Sequence, residues 1–340
     1  MIRVAINGFG RIGRSAFKIA MENPELDVVA INDLTDTKTL AYLLAHDTNY
    51  GNYDREVSSY EGGIEVDGNK IQVLAEKDPL KLPWDKMKID VVIESTGFFT
   101  KVEDAHMHVK AGAKRVVVSA AIKNDENNPM AGNFLIGVND DELDNQQVIS
   151  NQSCTTNCIT PIAHVIEQEF GIEKSLMTTV HAYTASQALQ DAPNKDLREG
   201  RNAAENIVPT TTNATVAATK IIPSLKGNFL GMSIRVPVPV VSLSDFTIVT
   251  KKEVTVEQVN EAIKKAARSE KMRNILDYTE EELVSSDLKG NPHSAIVDLR
   301  LTQVVGGNLL KVVAWYDNEW GYSNRLVEMV EHAGKLVHKK

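Results

Sequence analysis

The segment that most constrains this chain lies at its start. Ile2–Ile6 reads as a short buried strand, and it leads directly into Gly8-Phe9-Gly10-Arg11-Ile12-Gly13. Helical spacing follows over Arg11–Met21, where Ile12, Ala16, Phe17, Ile19 and Ala20 form one apolar side. A second strand is expected over Leu26–Ile31, and Asp33 stands at its end, 33 − 13 = 20 residues beyond the last glycine. A GxGxxG by itself is a weak signal. Placed between a strand and a helix, with an acidic residue at this distance, it is the fingerprint of a dinucleotide-binding βαβ unit. The glycines allow a tight turn and a close backbone approach to a pyrophosphate, and the helix N-terminus supplies N–H donors for it. Asp33 would accept hydrogen bonds from ribose hydroxyls and repel a 2′-phosphate, which favours NAD over NADP.

The first half continues the alternation. Short Val/Ile-rich strands are expected at Asp90–Ile93, Arg115–Val118, Phe134–Val138 and Val148–Ile149, with a helix over Val102–Ala111. Strands buried on both faces and separated by helices predict a parallel, doubly wound sheet. Asn124–Pro129 reads as a surface loop. After about residue 150 the strands lengthen and partly alternate: Met232–Val241, Phe246–Thr250, Ser294–Thr302 and Leu309–Tyr316. These predict an antiparallel sheet with one polar face, with Pro237 and Pro239 marking an edge or an irregular segment. Thr255 and Gln258 form a capping box for a helix running to about Ala267, and an amphipathic helix is expected over Asn324–Val337.

At 340 residues the chain has length for about two domains. Its 37 Lys+Arg against 46 Asp+Glu give a formal charge of −9, which argues against a nucleic-acid binder. Two cysteines four residues apart make no disulfide framework and fit a reducing compartment. No apolar run reaches the roughly 18 residues of a membrane span, and no secretory leader is recognisable before MIRVAINGFG. A cytoplasmic protein is expected.

Two further constellations carry chemistry. Ser153-Cys154-Thr155-Thr156-Asn157 follows the Val148–Ile149 strand and opens an apolar periodic run. Ser153 is placed to cap a helix, which puts Cys154 in the first turn, where a thiolate is stabilised and its pKa lowered. The same N–H groups could hold an oxyanion on a carbonyl attacked by sulfur. Pro161 is expected to kink or delay that helix. Cys158, deeper in it, reads as a structural cysteine. Of eight histidines, His181, at the end of a β-like run, is the best candidate for a base, although a single histidine is more often structural. No His/Cys/Asp spacing suggests a metal site. Arg235 lies within the apolar Ile234-Arg-Val-Pro and needs a partner there, either a carboxylate or a phosphate ligand.

The strings INGFGRIGR, SCTTNC, LMTTVHAYT, RVPVP and WYDNEWGYSNR, spread over essentially the whole chain, resemble the phosphorylating glyceraldehyde-3-phosphate dehydrogenases of the bacterial and eukaryotic type. The resemblance implies an α/β fold class: a Rossmann-type doubly wound NAD domain plus an α+β catalytic domain with a largely antiparallel sheet. It places the NAD domain at 1–152 and 318–340 and the catalytic domain at 153–317. It makes Cys154 the nucleophile and His181, 181 − 154 = 27 residues on, its acid–base partner. Gly8, Gly10, Arg11, Ile12 and Gly13 would surround the pyrophosphate and Asp33 the ribose. Lys77 and Ser119 match lesser cofactor contacts, and Asn318 would orient the nicotinamide carboxamide. Thr184 and Arg235 would hold the substrate phosphate. Ser153, Thr155, Thr212, Asn213 and either Arg198 or Arg201 would serve the substrate and the attacking inorganic phosphate. The implied partners are a sugar phosphate and inorganic phosphate, the cofactor is NAD, and the assembly is a homotetramer.

The sequence departs from that family at several points. Gln152 replaces the usual Ala, and the segment after Ser119 is long, with Ala121 in place of Pro. In the anion loop Asn213 stands for Gly and Val216 for Lys. Asparagine tolerates a left-handed backbone, so the turn is expected to survive. A close relative, erythrose-4-phosphate dehydrogenase, hydrolyses its thioester and also lacks that glycine, so it is the alternative reading. The retained Thr184, which that relative tends to lose, weighs against it.

Overall fold

A computed structural model describes residues 1–125 and 128–339. Of the expected surface loop at 124–129, Glu126 and Asn127 therefore lie outside the described residues. The chain divides into two compact units, Met1–Gln152 with Ser323–Lys340, and Ser153–Tyr322. The second crossing falls 323 − 318 = 5 residues later than the sequence reading placed it. The reason is local. Asp317 accepts hydrogen bonds from the backbone N–H groups of Gly290, Glu319 and Trp320, which ties this stretch to the second unit. A Cβ on Gly321 would lie 2.5 Å from the His293 carbonyl oxygen, so the two backbones touch there.

Among the described residues, the first unit holds a sheet in the spatial order Ala131–Asn133, Val148–Ser150, Arg115–Val118, Val91–Glu94, Ile2–Asn7, Leu26–Asn32, Asn69–Leu74, Gly63–Val66, Val57–Tyr60. Strands from Ala131–Asn133 through Asn69–Leu74 pair in parallel, and the last two join as an antiparallel edge. Ile2–Asn7 sits centrally because Val4, Ala5 and Ile6 are fully buried, as the both-faces-apolar pattern requires. The helices Arg11–Ala20 and Val102–Lys110 lie within a residue or so of their sequence-based spans.

One expected strand is absent. The sheet uses Ala131–Asn133, and Phe134–Val138 turns away instead. Gly137 adopts a positive φ of 81°, and the Asn139 side chain accepts from Leu135 N–H while donating to the Asn133 carbonyl. Side-chain hydrogen bonds of this kind replace a ladder with a turn. Apolar run length alone does not separate the two, since Phe134, Leu135 and Val138 are buried in either case.

The second unit is built on a mixed sheet, ordered Val208–Thr211, Phe229–Val236, Ile172–Ala182, Ser242–Thr250, Leu309–Tyr316, Ala295–Asp298, Leu276–Thr279. Its pairings are antiparallel except for Ile172–Ala182 with Phe229–Val236 and Leu276–Thr279 with Ala295–Asp298. The expected strand Met232–Val241 begins earlier and stops at Val236, since Pro237 and Pro239 cannot donate to a ladder. Ser294–Thr302 shortens likewise to Ala295–Asp298 before a 3₁₀ turn. One sheet face packs under the helices Cys154–Glu169 and Val256–Ala267, burying Ile162, Ile166, Phe229, Phe246, Val259 and Ile263 among others. The capping box of Thr255 and Gln258 is present. The opposite face leaves Leu176 64% and Leu230 59% exposed.

Candidate active site

In the first unit a cavity of about 450 Å³ opens at the carboxyl ends of the parallel strands, where ligands bind in such sheets. Gly8, Gly10, Asp33 and Lys77 line it, as expected, together with Asn7, Asn32, Leu34, Glu76, Ser95, Thr96, Phe98 and Phe99, which the sequence reading missed. A Cβ on Gly13 would lie 2.1 Å from the Gly8 carbonyl oxygen, so this glycine is needed for the turn itself. A Cβ on Gly10 would meet nothing within 4 Å and would occupy the cavity instead. Gly13 serves the chain and Gly10 leaves room for a ligand, which is the fit a pyrophosphate requires. Asp33 is fixed by Phe9 N–H at 2.8 Å and Thr35 N–H at 2.9 Å, one to each carboxylate oxygen. Each oxygen keeps a lone pair for a ribose hydroxyl. The Arg11 guanidinium is committed to Asp47, at 3.0 and 3.3 Å, and lies over the Tyr50 ring. What Arg11 and Ile12 present at the helix start is therefore backbone N–H, Arg11 and Ile12 being the first two residues of the helix. Ser119 does not line this cavity; its N–H bonds to the Glu94 carbonyl.

Behind the glycine turn lies a buried polar network. The Trp84 indole N–H donates to His108 Nδ1 at 3.0 Å. An indole can only donate, so the proton of neutral His108 sits on Nε2, which faces Glu94 at 3.0 Å. Glu94 also receives Asn7 Nδ2 and the Thr96 N–H. Asn7 in turn accepts from Asn32. The network joins the ends of three strands that line the cavity. Its partners are far apart in sequence, so no local pattern announces it.

In the second unit Ser153 caps the helix Cys154–Glu169, its hydroxyl accepting Thr156 N–H at 3.1 Å. Cys154 is therefore the first helical residue, and Pro161 does not delay the helix. Cys154 Sγ lies 3.5 Å from His181 Nε2. The lowered thiol pKa expected from the helix terminus is not what the site produces. Burial pushes the Cys154 thiol up, and the Arg235 charge and the Thr155 N–H only partly offset it. The helix-terminus argument omitted the loss of water around the sulfur. Burial raises Cys158 as well, and nothing cationic offsets it there.

His181 ends the strand Ile172–Ala182, directly opposite Arg235 on the parallel neighbour. Its Nδ1 lies 2.7 Å from the Ala182 carbonyl, an acceptor, and 2.6 Å from Arg235 Nη1, a donor. One nitrogen can satisfy only one of them. When Nδ1–H donates to Ala182, the Nε2 lone pair faces the thiol and can take its proton. That arrangement requires the Arg235 guanidinium to leave Nδ1, which it reaches in the structure at 2.6 Å. Arg235 Nε is buried with no hydrogen bond and is 4.0 Å from Glu199, so the arginine has both a distant carboxylate and donors to spare. Tyr316 packs edge-on to His181 and bonds both Thr155 at 3.0 Å and Thr179 at 2.8 Å, tying the helix start to the His181 strand. Thr155 is thus held by its side chain within the fold. Tyr316 lies within the WYDNEW string but was not singled out.

The remaining residues are more dispersed. Thr184 Oγ1 bonds Ser186 at 3.0 Å. Thr212 accepts Ala214 N–H, and Asn213 precedes the helix Ala214–Ile221 at φ −94°, so the anion loop needs no left-handed residue there. Arg201 is paired with Asp191 at 3.0 Å, whereas Arg198 has no ion pair among the described residues. No group of three His, Cys, Asp or Glu able to hold a metal is found among the described residues.

Burial, aided by Arg235, holds His181 down to about 3, from an ordinary 6.5. Between those values the unfolded chain binds a proton that the folded chain refuses. Stability from this group is therefore fully present above pH 6.5 and falls as pH drops toward 3. In urea titrations at pH 7 and pH 5, His181→Asn should lose less of its midpoint than the parent protein. Equal losses would show that His181 is not held neutral.

Two family models match the chain: "Glyceraldehyde 3-phosphate dehydrogenase, NAD binding domain" over residues 2–102, and "Glyceraldehyde 3-phosphate dehydrogenase, C-terminal domain" over residues 153–318. The glyceraldehyde-3-phosphate dehydrogenase of Streptomyces coelicolor is 50% identical over 339 residues, 99% of each chain. That of Geobacillus stearothermophilus is 50% identical over 333 residues, 97% of this chain and 98% of its own. Glyceraldehyde-3-phosphate dehydrogenase 1 of Bacillus subtilis is 48% identical over 336 residues, 98% of each. With a dinucleotide cavity in one unit and a capped cysteine facing a histidine in the other, the chain belongs to the glyceraldehyde-3-phosphate dehydrogenase family.

Proposed function

We propose that the chain oxidises D-glyceraldehyde 3-phosphate to 1,3-bisphosphoglycerate with NAD, through a thioester on Cys154. The observation that carries this reading is the Cys154–His181 pair at a helix N-terminus with Arg235 beside it. Arg235 and Thr184 take the substrate phosphate. His181 Nε2 accepts the thiol proton as Sγ bonds to the aldehyde carbon, giving a thiohemiacetal. The N–H groups of the first helical turn stabilise its oxygen. When bound, NAD would be held by the glycine turn and Asp33, with Asn318 at its carboxamide, and would supply the hydride acceptor. With the former thiol proton held on His181, the thiohemiacetal oxygen is an alkoxide, and loss of hydride from its carbon leaves the neutral Cys154 thioester, which conserves the energy of oxidation. Inorganic phosphate then attacks the acyl carbon, and the acyl phosphate leaves as the thiol is restored. The phosphate is held by Ser153, Thr212 and Asn213, with Arg198 favoured over Arg201 because Asp191 already pairs with the latter.

The altered anion loop weakens phosphate binding without changing the chemistry. Val216, where relatives carry Lys, is half exposed. A charge lost there is worth on the order of 1 kcal/mol or less, a several-fold rise in phosphate KM. NADH formation should therefore rise with inorganic phosphate and saturate, giving acyl phosphate. A rate independent of phosphate with free acid as product would replace this reading by hydrolytic deacylation of the erythrose-4-phosphate type.

The assembly we infer is a homotetramer in the cytoplasm. Two free cysteines suit a reducing compartment. None of the described helices is long and apolar enough to cross a membrane. The exposed sheet face carrying Leu176, Leu230 and Met232 is an apolar surface of the kind a second subunit covers. Sedimentation at micromolar protein should give the tetramer mass, and Leu230→Glu a smaller species. A monomeric parent protein would contradict this.

A further inference from the structure

Val241 holds a positive φ of 73° and is 3% exposed. Among the described residues the other non-glycine ones in that region are Asp67, Lys88, Asn124 and Gln152, none of them β-branched. A branched Cβ makes the left-handed backbone a genuine outlier, and such residues persist where the surroundings over-determine them. What Val241 positions is Ser242, the first residue of the strand Ser242–Thr250, itself 2% exposed.

Ser242 sits where three strands converge. The antiparallel ladder with Ile172–Ala182 ends at Val180 opposite Leu243, and on the other side Ser242 is opposite Tyr316. Beyond the ladder's end, the Ser242 hydroxyl takes over. It accepts Ala182 N–H at 3.0 Å, the residue next to His181, and donates to Asn318 Oδ1 at 3.0 Å. The accepting role is fixed by elementary chemistry. A backbone N–H can only donate, so the hydroxyl proton is left for an acceptor. In the structure that acceptor is the Asn318 carbonyl oxygen, which turns the amide NH₂ the other way. Asn318 is 6% exposed, so this orientation is settled inside the protein rather than by solvent.

We propose that Ser242 is a positioning residue for the cofactor: it sets which end of the Asn318 amide is offered to the nicotinamide and ties that amide to the backbone of the strand carrying His181. The inference rests on the reading that Asn318 contacts the nicotinamide. Ser242 acts through Asn318 and touches no reacting atom. Losing it frees the amide to rotate, so its donors are no longer held ready for a ligand.

The test is a double-substitution cycle read by calorimetric titration of NAD into the full-length protein, which needs no turnover. Ser242→Ala should weaken NAD binding about tenfold, the worth of one hydrogen bond, and Ser242→Thr, which keeps the hydroxyl, should restore most of it. Asn318→Ala should weaken binding at least as much, and adding Ser242→Ala to it should cost nothing further. Should the alanine variant not fold, Ser242→Cys, similar in shape but a poor donor, gives the same comparison. If Asn318→Ala weakens binding while Ser242→Ala does not, the proposal is overturned and the Asn318 reading stands. If Ser242→Ala costs the same with or without Asn318, its role is structural and the proposal is likewise overturned. If Asn318→Ala leaves NAD affinity unchanged, the Asn318 reading itself fails and the proposal fails with it.

Discussion

The chemistry of this protein depends on where one helix begins. Ser153 closes the helix N-terminus through its hydroxyl, and that makes Cys154 the first helical residue. Four residues on, one turn deeper, Cys158 is fully buried in the core with Ile162 and Phe246. The two thiols share a helix and a chemical nature, yet their environments differ in kind. One faces an imidazole, a guanidinium and unsatisfied N–H groups. The other is packed among hydrocarbon beside the Ser244 hydroxyl. A shift of one residue in the helix start would rotate Cys154 by roughly 100° about the axis and remove it from His181.

The sheet supplies the rest of the constraint. His181 and Arg235 are register partners on parallel strands, and Tyr316 and Ser242 are partners on the next antiparallel pair. Four side chains of different chemistry are thus brought to one end of the sheet by pairing alone. Side chains on rigid strands hold their positions more closely than side chains on loops. Tyr316 then links helix and sheet by bonding a threonine on each. Because burial raises the thiol and depresses the imidazole, neither ionises readily in isolation. The Arg235 guanidinium acts on both, since it lowers the thiol and the imidazole alike and sits 2.6 Å from His181 Nδ1.

Much of this was legible in the sequence, and for identifiable reasons. The glycine turn, Asp33, the Ser153 cap and the Thr255 capping box are local patterns, each set by residues within a few positions or by a fixed spacing. Phe134–Val138 failed because buried turns and buried strands share an apolar composition, and Asn139 decided between them. The thiol pKa failed because desolvation is a property of the packed site. Glu94, His108 and Trp84 were invisible as a unit since they join only through the fold. Ser242 was hidden for the same reason. Its partners, Ala182 and Asn318, lie 60 and 76 residues away. At Asn213 the tolerance of asparagine for a left-handed backbone is not called on, since an ordinary φ serves there.

The central claim is that the helix start singles out Cys154 as the residue that carries the acyl group. The most direct measurement is peptide mass spectrometry of the protein quenched in acid after mixing with NAD and glyceraldehyde 3-phosphate, with inorganic phosphate omitted so that the thioester accumulates. The account predicts a phosphoglyceroyl mass on the peptide spanning both cysteines, with fragmentation placing it on Cys154, and its disappearance when phosphate is added. Acylation at Cys158, or NADH formation with no acyl adduct on either cysteine, would contradict it.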